Sequence, residues 1–264
     1  MTRAYRAELV KLLRRRVLLL TVVVAAAFAA LGASLVLAAA QPASAPSAVP
    51  GRVATVESLS RAGGGTEVFR LAVSFAGVFV FVVFVGAMAA EFARGTFRTM
   101  LLREPRRVRL LAGKLAALLT YAAAALALTM AATWLVALLR APSVGVDTGS
   151  WASLAALRAA AGDLGAVLLW VTGYAVLGTA LAVLLRSVPV ALAVGIAWAG
   201  PFEHLVQDAW SPASRTFPGL LLEAFVAGGT PDVSAGRALA TVGTYAAVAA
   251  LVAAVVVSRR DVAT

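Results

Sequence analysis

Residues 17–40 read VLLLTVVVAAAFAALGASLVLAAA, which is twenty-four consecutive residues without a charge. A helix needs about 20 apolar residues to cross the hydrocarbon core of a bilayer, so this stretch is long enough to span a membrane. A secretory signal peptide is the competing interpretation, because a basic segment precedes the stretch and three alanines close it. Signal peptides have only about 7–15 apolar residues, which favours a retained anchor.

Five more uncharged stretches follow and predict an all-α, polytopic integral membrane protein with a single transmembrane domain over residues 1–264. The stretches are apolar all round, as helices in lipid are, instead of alternating with polar residues. The fifth meets Pro201 and is expected to cross as a short or broken helix. Residues 41–67 are expected to form an irregular loop and 151–163 a short interfacial helix. The six predicted spans are residues 17–40, 71–90, 115–139, 164–185, 187–208 and 238–258.

Charge predicts the orientation. If the spans are crossed in order from a cytosolic N-terminus, sixteen basic and four acidic residues fall on the cytosolic side, against seven basic and eight acidic residues outside. Lys and Arg are retained on the cytosolic side of membrane proteins, so both termini are expected in the cytosol. The same rule explains the net charge of +11, and a chain that is 62% hydrophobic is no solvated nucleic-acid module.

Residue types that the chain lacks narrow the chemistry. It has no cysteine and a single histidine, which excludes thiol nucleophiles, disulfides and a multi-histidine metal centre. An ATP-binding loop of the G-x-x-x-x-G-K-[ST] type is also absent: Val108 stands at the first glycine position, and Leu115 follows Gly113-Lys114. We therefore expect no catalytic residues, no metal and no cofactor bound by this chain.

The most specific segment is the basic connection between the second and third spans. Phe97, Met100 and Leu101 have the i, i+3, i+4 spacing of an apolar patch on a short helix, and Pro105 ends that helix. An apolar patch flanked by charges is what the groove of another protein binds. Simple orientation by arginines that contact lipid headgroups is the alternative.

The pattern of this connection resembles the type-2 permeases of ATP-binding-cassette (ABC) exporters. It consists of an acid closing the second span, Gly-Thr, a Leu-Leu pair, Pro, arginines and a Gly-Lys that opens the third span. The match in motif covers residues 91–114, while six spans with cytosolic ends match over the whole chain. The positions concerned are Glu91, Arg94, Gly95, Thr96, Phe97, Arg98, Met100, Leu101, Arg103, Pro105 and Lys114.

The resemblance implies a non-catalytic transmembrane subunit in which residues 97–103 form a coupling helix. Its partners would be two copies of a cytosolic ATPase that binds ATP and Mg²⁺, and a second permease, identical or paralogous. The implied location is the inner (plasma) membrane of a bacterium. Apolar span surfaces suit export of a hydrophobic or amphiphilic compound such as a drug, an antibiotic peptide or a lipid.

Two further groups of residues are candidates for function. Tyr5, Leu9, Leu12 and Leu13 share one face of an N-terminal helix over residues 1–16, and the residues away from that face are Arg3, Lys11, Arg14 and Arg15. This predicts an interfacial helix, which resembles the elbow helix of the same family. Glu203, His204 and Asp208 follow the uncharged part of the fifth span, residues 187–202, at its expected outer boundary, where polar residues are solvated. The resemblance makes them an outer gate.

Three other functions stay open. An ion-coupled secondary transporter predicts inverted repeats and charges within spans, which the uncharged stretches do not have. An intramembrane enzyme needs catalytic groups at matched depths, and one histidine at a boundary fits it poorly. A non-transporting anchor or sensor component is the third.

Overall fold

The computed structural model describes residues 2–42, 54–96 and 106–259, and this part of the chain is helical, with two isolated β-bridges. It includes a 3₁₀ turn at Ala141–Val144, a π-helical turn at Trp198–Phe202 and a second 3₁₀ turn at Ser211–Arg215. The α-helices are α1 (Thr2–Leu12), α2 (Arg15–Ala38), α3 (Val56–Leu59), α4 (Gly64–Ser74), α5 (Gly77–Ala93), α6 (Arg107–Arg140), α7 (Leu154–Leu185), α8 (Val188–Ala197), α9 (Glu203–Ala209), α10 (Pro218–Val226) and α11 (Ala235–Arg259).

Five helical segments are long and apolar enough to cross a membrane, and a sixth span arises if the bent pair α4 and α5 counts as one. The five are α2, α6 with its following turn, α7, the segment from α8 through α9, and α11. Their outward faces are strongly apolar: Leu20, Leu31 and Leu35 of α2 are each about two-thirds exposed. Water would penalise such surfaces, so the chain is a membrane-associated protein.

Helix α7 lies at the centre of the bundle and contacts α4, α5, α6, α8, α10 and α11. Small residues allow its neighbours to come close, as is common between helices in membranes. A Cβ added to Gly178, for example, would lie 3.1 Å from Cγ2 of Val85 on α5. Ser153 caps the first turn of α7 by accepting a hydrogen bond from the Ala156 amide at 3.1 Å.

The structure departs from the sequence prediction at three places. Helix α7 begins at Leu154 and runs unbroken to Leu185, so residues 151–163 do not form a separate surface helix. The stretch expected as the second span begins earlier and bends by 61° between α4 and α5. The segment expected to be an irregular loop contains α3 and the start of α4, where Gly64 and Gly65 pack closely against neighbouring atoms.

Pro201 interrupts the fifth span, as predicted. Proline has no amide hydrogen to continue the helical ladder. Here the chain passes through a π-helical turn, Trp198–Phe202, before α9 begins. The short turn between α7 and α8, with Arg186 in a left-handed conformation, makes these two helices neighbours.

Candidate functional site

Helices α1, α5 and α6 meet at a cluster of four charged side chains, which we call the Lys114 cluster: Glu8, Lys11, Glu91 and Lys114. Lys114 is only 2% exposed. Its Nζ lies 2.9 Å from Oε1 of Glu91 and 3.1 Å from Oε2 of Glu8. Lys11 closes the ring, with its Nζ 3.0 Å from the same Glu8 oxygen and 3.3 Å from Oε1 of Glu91.

Local sequence places each member of the cluster. Glu8 and Lys11 are three residues apart and therefore neighbours on one face of α1. Glu91 lies in the last turn of α5, and Lys114 lies two turns into α6. Two ammonium and two carboxylate groups balance, so the cluster carries no net charge. Buried charges of this kind require such pairing.

Both lysines of the chain are in this cluster, whereas the other 21 basic residues are arginines. An ammonium is a compact point charge with three donors, and it fits between two carboxylates where a planar guanidinium would impose its own fork geometry. No other position in the sequence is a lysine, which distinguishes these two.

Glu91 also fixes the chain as it leaves α5. The Thr96 hydroxyl donates to the main-chain carbonyl of Glu91 at 3.1 Å and to the Glu91 carboxylate. Gly95 permits this turn because its φ is +66°, in the left-handed region that glycine adopts without strain. Thr96, the last described residue before residues 97–105, is therefore held against the Lys114 cluster.

The charge state of Lys11 follows from its two carboxylate neighbours. Partial burial lowers the pKa of Lys11, but the hydrogen bonds and charges of Glu8 and Glu91 together outweigh that effect. The pKa is therefore raised above its ordinary value of 10.5. Lys11 remains an ammonium throughout the neutral range.

The N-terminal helix packs along α6. Tyr5 Oη donates to Oγ1 of Thr120 at 3.2 Å, and Leu9 and Leu12 are half-buried. Leu13 is 55% exposed at the break between α1 and α2. Lys11 lies in the cluster, so it does not point to the free side of the helix as the sequence pattern suggested.

The expected outer-gate residues separate in the structure. Glu203 is 1% exposed, and its Oε2 accepts a hydrogen bond from the Leu220 amide at 2.9 Å. His204 lies with Nε2 3.3 Å from Oε2 of Glu223, while Asp208 is exposed. Glu203 and His204 therefore face α10, and Asp208 does not join them. The burial of Glu203 differs from the solvated position expected at a boundary.

A comparison with protein families matches residues 43–199, more than half of the chain, to the family described as "Protein of unknown function (DUF2705)". The chain belongs to the DUF2705 family. The comparisons found no matching curated protein and no matching solved structure. The matched region of this DUF2705 protein includes Glu91, Thr96 and Lys114, while Glu8, Lys11 and Glu203 lie outside it.

Part of the expected coupling segment lies outside the described residues of the DUF2705 protein, and those positions stay predictions. Arg94, which is exposed, and Gly95 are described and lead directly into that segment. The positions outside the described part are Phe97, Arg98, Met100, Leu101, Arg103 and Pro105.

Sequence reasoning missed Glu8 and misplaced Lys11. The sequence shows Glu8 as the only acid in an N-terminal segment with six basic residues, but it does not show which residues Glu8 pairs with. A second polar contact, between α4 and α7, was also missed. There Arg70 Nε lies 3.3 Å from Oδ1 of Asp163, and the Thr66 hydroxyl donates to Oδ2 of Asp163 at 2.7 Å.

Proposed function

We propose that this chain is the transmembrane subunit of an ATP-driven exporter similar to the type-2 ABC permeases. It forms the cargo pathway as a dimer and is driven by two copies of a separate cytosolic ATPase. Residues 97–103 are the contact for that ATPase. The proposal rests on the resemblance of residues 91–114 and on the way α1 and the two flanks of that segment are joined.

The single observation that carries the proposal is the Lys114 cluster. It links α1 to Glu91, just before the expected contact segment, and to Lys114, just after it. A force applied to residues 97–105 would therefore reach α1, α5 and α6 together. Arginines that only set orientation or contact lipid headgroups require no buried, charge-balanced cluster.

The length of α6 and the distribution of basic residues together support an orientation with residues 94–114 on the cytosolic side. Helix α6 has 34 residues and is about 51 Å long at 1.5 Å per residue, well beyond a hydrocarbon core of about 30 Å. Its first two turns, which carry Arg107, Arg109 and Lys114, extend past the core at one end. With this end in the cytosol, the excess of basic residues lies where the positive-inside rule requires it.

The apolar spans favour a hydrophobic or amphiphilic cargo. Residues of both α2 and α5 with large apolar side chains are exposed, among them Val24 and Phe79. These surfaces face either lipid or the second permease. A cargo that passes between two such surfaces would need an apolar surface of its own. Transport then consists of a shift between two packings of the dimer that ATP binding stabilises differently.

The test is to purify the tagged protein from native membranes under mild conditions, to identify co-purifying proteins by mass spectrometry and to measure ATPase activity. We expect a stoichiometric nucleotide-binding subunit with the wild type. Phe97→Asp and Met100→Asp should insert normally but release it, because each places a charge in the apolar patch. Ser143→Asp is the matched control, because it also introduces an aspartate but lies in the exposed 3₁₀ turn at the other end of α6.

Two results would contradict the proposal at different levels. If the wild type co-purifies with no ATPase, the exporter assignment is wrong. If the ATPase remains bound and active in both patch variants, the exporter assignment stands but residues 97–103 are not the contact.

An ion-coupled carrier is the second candidate function, and the burial of Glu203 favours it. Glu203 lies within the candidate span Val188–Ala209, and buried acids within spans commonly carry protons in transporters. Proteoliposomes without ATPase distinguish the two functions. Uptake or release driven by a pH gradient alone would support the carrier, whereas a strict requirement for ATP supports the exporter.

A further inference from the structure

A cavity of about 310 Å³ lies between α5, α7, the segment from α8 to α9 and the start of α10. Its volume is at the lower end of the range of about 300–1,000 Å³ that small-molecule sites occupy. The walls are apolar and aromatic, with Phe81, Tyr174, Leu177, Leu181 and Trp198 among them. Glu203 is the one acidic side chain in the lining.

The Glu203 carboxylate is buried but only partly satisfied. Its Oε2 accepts from the Leu220 amide in the first turn of α10, which accounts for that oxygen as a helix cap. Oε1 is buried and has no hydrogen bond of normal geometry among the described residues, although the Trp198 side chain and the Gly219 amide lie close to the carboxyl group. A buried acceptor oxygen without a hydrogen bond costs free energy that a ligand could recover.

The surroundings of Glu203 provide no full positive charge. None of the ion pairs between described residues includes Glu203, and His204 pairs instead with Glu223. Glu223 itself adds negative charge to this region. Among the described residues, the N-terminus of α10, with its partial positive charge, and the Trp198 side chain face the carboxyl group. The cavity is thus an apolar space with an acidic group at one end.

Aromatic rings reinforce this preference for a cation. The rings of Phe81 and Tyr174 lie with centroids 6.0 Å apart, and Trp198 stacks on Phe202 with centroids 4.9 Å apart. The faces of Trp and Tyr attract cations, and aromatic walls recognise organic ammonium groups in this way.

We infer that this cavity binds an organic cation with an apolar body, whose positive charge pairs with Glu203. The inference that a cation binds here does not depend on the proposed function. The further step that this cation is the exported cargo rests on the proposed export function. A lipid acyl chain would fill the apolar part but leave the carboxylate unpaired, and an organic anion would be repelled. A charged end near Glu203 and a hydrophobic body against Leu177 and Leu181 satisfy both parts of the cavity.

Gly219 leaves room for the carboxyl group of Glu203. A Cβ added there would lie 2.5 Å from Oε2 of Glu203. The carboxyl group therefore lies directly against the backbone of α10 at the cavity wall.

The test is binding of radiolabelled hexyltrimethylammonium to the full-length protein in nanodiscs, with empty nanodiscs subtracted and hexanesulfonate as an anion with the same apolar chain. We expect saturable binding of the cation only. Glu203→Gln keeps an oxygen for the Leu220 amide but removes the charge, and should weaken binding about tenfold or more. Asp208→Asn, which changes an exposed acid on the same helix, should bind as the wild type does.

A second variant guards against misfolding of the first. Leu177→Trp fills the cavity while keeping Glu203, and should also reduce binding without lowering the unfolding temperature by much. Equal binding of the cation by wild type and Glu203→Gln, or equal binding of cation and anion, would overturn the inference. Because no ATPase is present, binding that depends on Glu203 would stand even if no ATPase co-purifies, and a failed binding test leaves the exporter assignment intact.

Discussion

Lys114 carries two ion pairs with almost no access to solvent, and its removal would leave the carboxylates of Glu8 and Glu91 sharing the single ammonium group of Lys11 within the cluster. Breaking a buried pair on one side destabilises a protein by about 3–5 kcal/mol. We expect Lys114→Met to lower the free energy of unfolding by about 3 kcal/mol, since both carboxylates keep some exposure. The measurement is denaturant unfolding of the purified protein in detergent.

Lys11→Met is the matched control for this prediction. The Lys11 side chain is 41% exposed, so water screens its ion pairs, and exposed pairs contribute about 1 kcal/mol or less. Loss of Lys11 should therefore cost clearly less than loss of Lys114. Equal losses in the two variants would show that the buried pairs of Lys114 are not the stabilising part of the cluster.

The sequence revealed only part of this cluster. The motif from Glu91 to Lys114 drew attention to Glu91, Thr96 and Lys114, because their spacing around one connection is local. Glu8 is 106 residues from Lys114, and nothing in a helical pattern shows which face of α1 will meet α6. Pairing over such a distance depends on tertiary packing, which a single sequence does not display.

At the level of the elements, the bend between α4 and α5 is the main feature that hydropathy did not predict. An uncharged stretch shows that a helix can lie in lipid but carries no information on its direction. Here Gly77, the first residue of α5, packs on Tyr174 of α7: an added Cβ would lie 2.6 Å from the phenol oxygen. Close contact with the central helix therefore fixes the bend.

This contact gives a prediction for the bend. Gly77→Ala should destabilise the fold, since overpacking costs about 1–3 kcal/mol and exceeds the gain of about 0.5–1 kcal/mol from better helix propensity. Tyr174→Phe removes the nearest atom, so the double variant should recover part of the loss. A double-mutant cycle of unfolding free energies measures the coupling between the two positions.

The remaining ring atoms limit that recovery, because the added Cβ would still lie 3.0 Å from Cζ of residue 174. Gly86→Ala is a control within the same helix, where the nearest atom would be 3.7 Å away in ordinary contact. Additive effects of Gly77→Ala and Tyr174→Phe would show that the two positions are not coupled and that the bend has another cause.

For the molecule as a whole, sequence predicted the helical membrane class because that property depends on composition and length. It did not predict that α7 would begin at Leu154 and so include most of residues 151–163. This segment is rich in alanine and has no proline, so it can extend the central helix. Boundaries of this kind depend on what packs beside the helix end, here Trp151, whose Nε1 donates to the Leu59 carbonyl at 2.9 Å.

The orientation of the whole bundle is open to a direct test, since the chain has no cysteine and every introduced cysteine is unique. Arg94 and Ser143 are both exposed. Arg94 precedes α6 and Ser143 follows it, so the two residues lie near opposite ends of the bundle. In the proposed orientation, a membrane-impermeant maleimide added to intact spheroplasts should label Ser143→Cys. Arg94→Cys should react only after the membrane is permeabilised, because the basic side of the chain is cytosolic. Labelling in the reverse order would place the Lys114 cluster and residues 97–105 outside the cell, where no ATPase could reach them, and the exporter proposal would fail with the orientation.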